Sequence, residues 1–140
     1  MKLLVVFCLT GFLWGCIADS AYSPPGLAKE DAVYLKADSE RDEGIFQELD
    51  EKLYINAVDG VSIGGFFNGY YESAYIEPGL TEIDVGFYQG KVKSERCVKF
   101  LAEKGKSYIV RKKREAWSIN FWVELENDIN TNVVNLPCGE

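Results

Sequence analysis

Residues 70–111 constrain the fold most, because apolar side chains recur there at every second position in several short runs. Ile83, Val85 and Phe87, for example, fall on one face of an extended chain, with acidic residues between them. Turns containing Gly or Pro separate the runs. This pattern is typical of half-buried antiparallel strands with one face in a core and one in water.

The remainder of the chain extends the same prediction. Residues 32–37 form the first predicted strand, and Asp59-Gly60 is a strong two-residue hairpin turn because both residue types tolerate positive φ. Residues 88–96 are interpreted as a polar connection, residues 117–123 as the most hydrophobic late strand, and residues 133–136 as the last strand. The sequence therefore predicts an all-β fold, a single antiparallel β-sandwich of about seven to eight strands over residues 31–140.

Composition excludes several classes of function. The 140 residues are enough for one domain, and 47% of them are hydrophobic, which is enough for a core. A net charge of -7 argues against nucleic acid as a partner, since phosphate binding needs a basic face. The chain has no histidine, so it lacks the usual general base near neutral pH and the commonest zinc ligand. We expect no metal, no cofactor and no catalytic residues.

The N-terminus has the features of an export signal. A positive Met1-Lys2 start precedes an apolar stretch over residues 3–14, which is too short to span a bilayer. Residues 13–16, Leu-Trp-Gly-Cys, resemble the processing site of bacterial lipoproteins, although Trp14 is unusual in that pattern. The resemblance implies removal of residues 1–15 and lipidation of Cys16. The alternative is ordinary signal-peptidase cleavage after Ala18.

The lipoprotein resemblance also implies a location. Three acyl chains on Cys16, palmitate among them, would make a stable anchor, because two or more chains hold a protein on a membrane. Ile17 follows the cysteine where the inner-membrane retention signal of that family would have Asp. We therefore expect a protein of the outer membrane that faces the periplasm. Residues 16–30, which are small, polar and Pro-containing, are predicted to be a flexible tether.

Two cysteines remain in the exported domain, Cys97 and Cys138. An even pair in an oxidising compartment predicts a disulfide, here between the start of one strand and the C-terminal tail. The pair has no Cys-x-x-Cys spacing, which argues against a redox site.

Other candidate surfaces have simpler explanations beside the functional ones. The cationic run Arg111, Lys112, Lys113 and Arg114 is either a solvated hairpin tip or edge-strand protection, or else a patch for anionic lipid or polysaccharide. The aromatic residues of the segment 66–75 either fill the core or form an exposed strip for carbohydrate or protein. Acidic residues near the turns are interpreted as solvated surface.

Three short motifs carry a further resemblance. They are Ala57-Val58-Asp59-Gly60, Ile76-Glu77-Pro78-Gly79-Leu80 and Glu103-Lys104-Gly105-Lys106-Ser107-Tyr108. In this order they resemble a group of small bacterial lipoproteins of unknown function with a β-sandwich similar to transthyretin or carboxypeptidase regulatory domains. The resemblance covers roughly residues 53–110 and implies a fold, but no activity. Relatives often have His near the second motif, and this chain does not.

Together these patterns predict a lipid-anchored periplasmic β-sandwich that acts as a non-catalytic binding or structural module of the cell envelope. Its expected partners are the membrane, through the lipid, and an envelope protein or glycan. Two alternatives remain open: a carboxylate-dependent envelope enzyme such as a glycan hydrolase, and a free exported binding domain.

Overall fold

The computed structural model describes residues 21–39, 51–65 and 69–139, and the signal segment, Cys16 and Phe66-Phe67 lie outside these ranges. Side chains of residues 129–132 are likewise not described. The described residues contain nine strands: β1 (Val33–Ala37), β2 (Lys52–Val58), β3 (Val61–Ser62), β4 (Ser73–Ile76), β5 (Gly79–Gln89), β6 (Val92–Ala102), β7 (Ser107–Glu115), β8 (Ser118–Leu125) and β9 (Asp128–Asn132). Within the described ranges, no helix is long and apolar enough to cross a membrane.

The strands form two sheets. The first has five strands in the order β4-β1-β7-β8-β9, and the second has four in the order β3-β2-β5-β6. The predicted all-β fold is confirmed, with nine strands described rather than seven or eight. All neighbouring strands are antiparallel except β1 and β7, which run parallel with Leu35 opposite Tyr108. The sequence pattern does not distinguish that parallel pair from the antiparallel ones.

One hydrophobic cluster joins the two sheets, as in a β-sandwich. Its buried members include Leu35, Tyr108, Val110 and Val123 from the five-stranded sheet and Leu53, Ile55, Ile83, Val85, Phe87 and Phe100 from the four-stranded sheet. The alternation predicted for residues 80–87 is therefore confirmed, with Ile83, Val85 and Phe87 inside. Each fully buried side chain of this size contributes roughly 1.5–3 kcal/mol through burial.

Several predicted connections differ from those in the structure. The turns at residues 77–79 and 103–106 are present, but they carry the chain from one sheet to the other instead of closing hairpins. Residues 88–96 are not a polar connection: they form the ends of β5 and β6, which meet at Gly90-Lys91. At this end of the two strands both faces are exposed to solvent, so the segment shows no alternation of apolar and polar residues and has the composition of a loop.

The hairpins are confirmed only in part. Asp59 and Gly60 close the β2–β3 hairpin with φ of 48° and 76°, as predicted.

Trp117 does not share the buried face of Ile119 and Val123, because it lies in the β7–β8 turn and is fully exposed. The predicted last strand over residues 133–136 is wrong, since β9 precedes it and residues 133–136 contribute only one isolated bridge, at Leu136.

The N-terminal segment is docked earlier than predicted. Tyr22, assigned to the tether on sequence grounds, donates its N–H to the carbonyl of Ser73 at 3.0 Å and accepts from the N–H of Tyr75 at 2.7 Å. Its ring also meets that of Tyr71 edge-on, with centroids 5.8 Å apart. Both tyrosines pack against the core, so Tyr22 belongs to the folded domain and not to the predicted tether.

Candidate ligand-binding groove

The outer face of the four-stranded sheet carries a shallow groove of about 600 Å³, which we call the tyrosine groove. Because side chains alternate along a strand, the same β5 run that buries Ile83, Val85 and Phe87 sends the intervening side chains outward. Residues that line the groove include Asn56, Ser62, Tyr70, Asp84, Tyr88 and Glu95. They come from β2, β3, β5, β6 and the loop before β4.

Tyr70 and Tyr88 line one side of the groove, and Tyr54 packs against both rings. Tyr54 stacks on Tyr70 with centroids 4.8 Å apart, and Tyr88 lies 5.6 Å from Tyr54 and 5.5 Å from Tyr70. Tyr70 is 44% exposed although it stacks on its neighbour. Aromatic faces that remain accessible while their rings are held by packing make good binding platforms.

Glu95 links polar groups in the floor of the groove. Its Oε1 accepts from Asn56 Nδ2 at 3.3 Å and from the Tyr88 hydroxyl at 3.4 Å, both long and therefore weak hydrogen bonds. The Oδ1 atom of Asn56 is buried and has no hydrogen-bond partner. A buried carbonyl oxygen without a partner is costly unless an ordered water donates a hydrogen bond to it.

Gly86, in the middle of β5, gives these side chains room. A Cβ atom at this position would lie 2.5 Å from Asn56 Nδ2 and 2.9 Å from a ring carbon of Tyr88. Cβ atoms in proteins essentially never lie that close to non-bonded heavy atoms, so any side chain here would displace Asn56 or Tyr88. The glycine therefore shapes the groove, by close approach rather than by an unusual φ.

The groove has acidic character. Partial burial raises the pKa of the Asp84 carboxyl, and the nearby carboxylates of Glu82 and Glu95 raise it further. Burial also raises the pKa of the Tyr88 hydroxyl, Glu95 and Tyr70 add to the shift, and the hydrogen bond from Asn56 opposes it. Glu82 has a cationic neighbour, since Lys99 Nζ lies 3.7 Å from its Oε2.

The raised pKa of Asp84 predicts a pH-dependent effect of its replacement. A carboxyl whose folded pKa lies above its unfolded value of 3.8 destabilises the fold when it ionises, so the penalty grows as pH rises through that window and persists at neutral pH. We expect Asp84→Asn to raise the free energy of unfolding at pH 7, by at most about 0.5 kcal/mol because Asp84 is exposed. The gain should vanish below pH 3.8.

Urea unfolding at both pH values measures this effect. Glu126→Gln, in the β8–β9 turn outside the groove, is the matched control and should show no such gain. A loss of stability at pH 7 in Asp84→Asn would contradict the electrostatic account.

The predicted cationic patch is distributed over two faces of β7. Arg111 pairs with Asp38 and with Glu124, and the side chain of Lys112 is only 5% exposed and lies 2.9 Å from Glu51. Lys113 pairs with Glu115 at 2.9 Å, and Arg114 donates to Gln89 at 2.9 Å. Only Lys113 and Arg114 are well exposed, so the four cations do not form one surface. β7 is the middle strand of its sheet, hence edge protection is not its role.

The predicted disulfide between Cys97 and Cys138 is present, with Cα atoms 6.0 Å apart. Cys97 lies in the middle of β6 rather than at its start. The bond holds the C-terminal tail along the outer edge of β6, where the N–H of Leu136 donates to the carbonyl of Lys99 at 2.7 Å. Glu82 lies near both sulfurs, but disulfide sulfurs are not thiolates and do not bind metals as thiolates do.

Sequence reasoning found part of the groove. The aromatic segment contributes Tyr70, whereas Tyr71 packs against the core and Tyr75 lies beside Tyr34 on the other sheet. Tyr54, Tyr88 and Glu95 were missed, because residues 88–96 were interpreted as a connection. Once β5 and β6 are extended through that segment, the register that places Glu95 opposite Gly86 brings them together. Comparison of the chain with protein-family models, curated protein sequences and solved structures finds no match.

Proposed function

We propose that this chain is a lipid-anchored binding protein of the bacterial cell envelope whose tyrosine groove takes a glycan. The observation that carries the proposal is Tyr70, whose side chain is 44% exposed at the groove while its ring stacks on that of Tyr54. Sugars present both an apolar ring face and a dense set of hydroxyl donors. An aromatic wall beside carboxylate and amide oxygens complements both features.

The open shape of the groove favours binding over catalysis. Its wall and floor come from one sheet face, so a ligand would remain partly in water. The groove is lined by two carboxylates, Asp84 and Glu95, and by one guanidinium, Arg96, so it complements a ligand that carries hydroxyl, amide and charged groups of both signs. The proposed ligand class is therefore an envelope glycan such as a peptidoglycan fragment, and an envelope protein is the competing partner.

Binding of soluble peptidoglycan fragments tests this part of the proposal. Truncation of an aromatic anchor in a binding site costs about 1–2 kcal/mol, so we expect Tyr70→Ala to weaken binding roughly 5- to 30-fold. Tyr34→Ala, a tyrosine on the other sheet, is the matched control and should bind as wild type does. Absence of binding by the wild type, or equal losses in both variants, would reject the groove as a glycan site.

The membrane anchor of the proposal rests on the sequence of residues 13–16. In a Gram-negative host we expect the mature protein to begin at a triacylated Cys16, to partition into detergent and to fractionate with the outer membrane. Cys16→Ser should abolish both the lipid mass and the detergent partitioning. A soluble wild-type product beginning at Asp19 would instead support the free exported domain.

Carboxylate-dependent glycan hydrolysis is a second candidate, favoured by one observation. Asp84 and Glu95 occupy diagonal positions on paired strands, which lie about 7–8 Å apart, and the pKa of Asp84 is raised. A pair of carboxyl groups on one surface is what a glycan hydrolase requires. Turnover of soluble peptidoglycan that is lost in Glu95→Gln would favour the enzyme, whereas binding without turnover supports the module.

A further inference from the structure

The β7–β8 hairpin tip, residues 115–118, presents a side chain that the proposed groove does not use. Trp117 is the most exposed large hydrophobic residue of the described chain, at 102% of its reference accessibility. Ala116 before it adopts a φ of 50°, which is uncommon for a residue other than glycine and turns the chain at the tip. An exposed indole offers a large apolar ring together with one N–H donor, the combination that suits a membrane–water interface.

The register of the strands shows where this tip lies relative to the N-terminal segment. Tyr22, Ala74, Leu35 and Tyr108 are paired in one row across the five-stranded sheet. Tyr22 runs parallel to β4, and β4 is antiparallel to β1, so the chain before Tyr22 heads toward the end at which β1 finishes. β7 runs parallel to β1 and carries the hairpin tip to that same end.

The lengths of the two segments match. From the row of Tyr22 and Tyr108, seven residues of β7 reach Glu115 at about 3.3 Å each, roughly 23 Å along the sheet. From Tyr22 back to Cys16 there are six residues, which span at most about 20 Å when extended. If Cys16 is held at a membrane surface and the strands run roughly perpendicular to that surface, the hairpin tip therefore lies within a few ångströms of it.

We infer that the hairpin tip is a second membrane contact, in which Trp117 inserts into the headgroup region of the bilayer that holds the lipid anchor. The inference rests on the lipidation of Cys16 in the proposed function. Indole side chains favour this interface, because the ring is apolar and its N–H can still meet water or headgroups. Contact at both Cys16 and Trp117 fixes the orientation of the domain. The tyrosine groove, on the outer face of the four-stranded sheet, then lies on a flank of the domain and stays open to the periplasm.

Charges near the tip make a smaller contribution. Exposed Lys91 and Lys93 of the β5–β6 hairpin and Lys113 and Arg114 of β7 lie at this end, where Glu115 pairs with Lys113 and Glu51 pairs with Lys112. Cations at a membrane surface attract the headgroups of anionic lipids. Between β1 and β2, the sequence of residues 40–50 adds five carboxylates and one arginine. The indole, rather than net charge, is thus the principal contact.

Quenching of tryptophan fluorescence by brominated acyl chains tests the contact. The lipidated Trp122→Phe protein, which keeps Trp117 as the single tryptophan of the mature chain, is reconstituted in vesicles of phosphatidylethanolamine and phosphatidylglycerol with brominated chains. The matched control is Trp117→Phe/Trp122→Phe/Leu101→Trp, because Leu101 is 58% exposed at the opposite end of β6. We expect strong quenching of Trp117 and none of the indole introduced at position 101.

Vesicle flotation separates the two ways in which the inference can fail. Protein that does not float with the vesicles overturns the lipid anchor, and the orientation with it. Protein that floats while Trp117 is unquenched overturns the tip contact alone and leaves the anchor standing. Equal quenching of both indoles would also overturn it, because a domain that lies on its side or tumbles has no preferred end.

Discussion

Breaking the Cys97–Cys138 disulfide is expected to lower the free energy of unfolding by about 4 kcal/mol. The bond joins residues 41 apart in the sequence, and closing a loop of that length removes chain entropy from the unfolded state. In a domain of this size the loss corresponds to a fall in Tm of roughly 10–20 °C. Cys97→Ser, measured by urea and thermal unfolding in a Cys16→Ser background, gives the value without interference from the lipid.

The control for the disulfide is a comparison of the stability losses in the two single variants and the double variant, which should not add up. Cys138→Ser should cost as much as Cys97→Ser, and the double variant no more than either, since all three remove the same bond. Reductant should destabilise the wild type but not these variants. Identical unfolding midpoints with and without reductant in the wild type would contradict the structural role of the bond.

The disulfide also bears on the edge of the sheet. β6 is a long edge strand, and an edge of 11 residues invites pairing with other chains. The tail held by Cys138 covers part of it, where Leu136 bonds to Lys99. We infer that the bond protects this edge as well as stabilising the fold.

Alternation along the strands carries most of what the sequence predicts correctly. It identifies the buried face of β5 and the Asp59-Gly60 hairpin, because burial and turn geometry are local properties of a few residues. Pairing of β1 with β7 depends instead on residues some 70 positions apart. No local pattern distinguishes a parallel from an antiparallel neighbour for a strand that is buried on its inner face.

The groove was harder to predict for a related reason. Its members lie on wet faces of strands, where the side chains are as polar as those of a loop, so the segment around Glu95 resembled a connection. Gly86 gives no signal either, since a glycine in a strand fits a bulge as well as a close contact. Only the registers of β2 with β5 and of β5 with β6 bring Asn56, Tyr88 and Glu95 to one place.

The shared core of the two sheets predicts a second large effect, at Phe100. This side chain is fully buried on β6, and its ring centroid lies 5.2 Å from that of Tyr108, which belongs to the other sheet. Phe100→Ala removes a ring that packs between the sheets and leaves a cavity, so we expect a loss of about 3–5 kcal/mol in the free energy of unfolding. Urea unfolding at neutral pH measures it.

The next residue on the same strand supplies the control. Leu101 is 58% exposed on the outer face, so Leu101→Ala should change stability by no more than about 0.5 kcal/mol. The contrast between adjacent positions depends on the register of β6, because a shift of one residue exchanges the two faces of a strand. A cost at Leu101 as large as that at Phe100 would show that β6 presents the opposite face to the core, and the groove assembled on its outer face would fail with it.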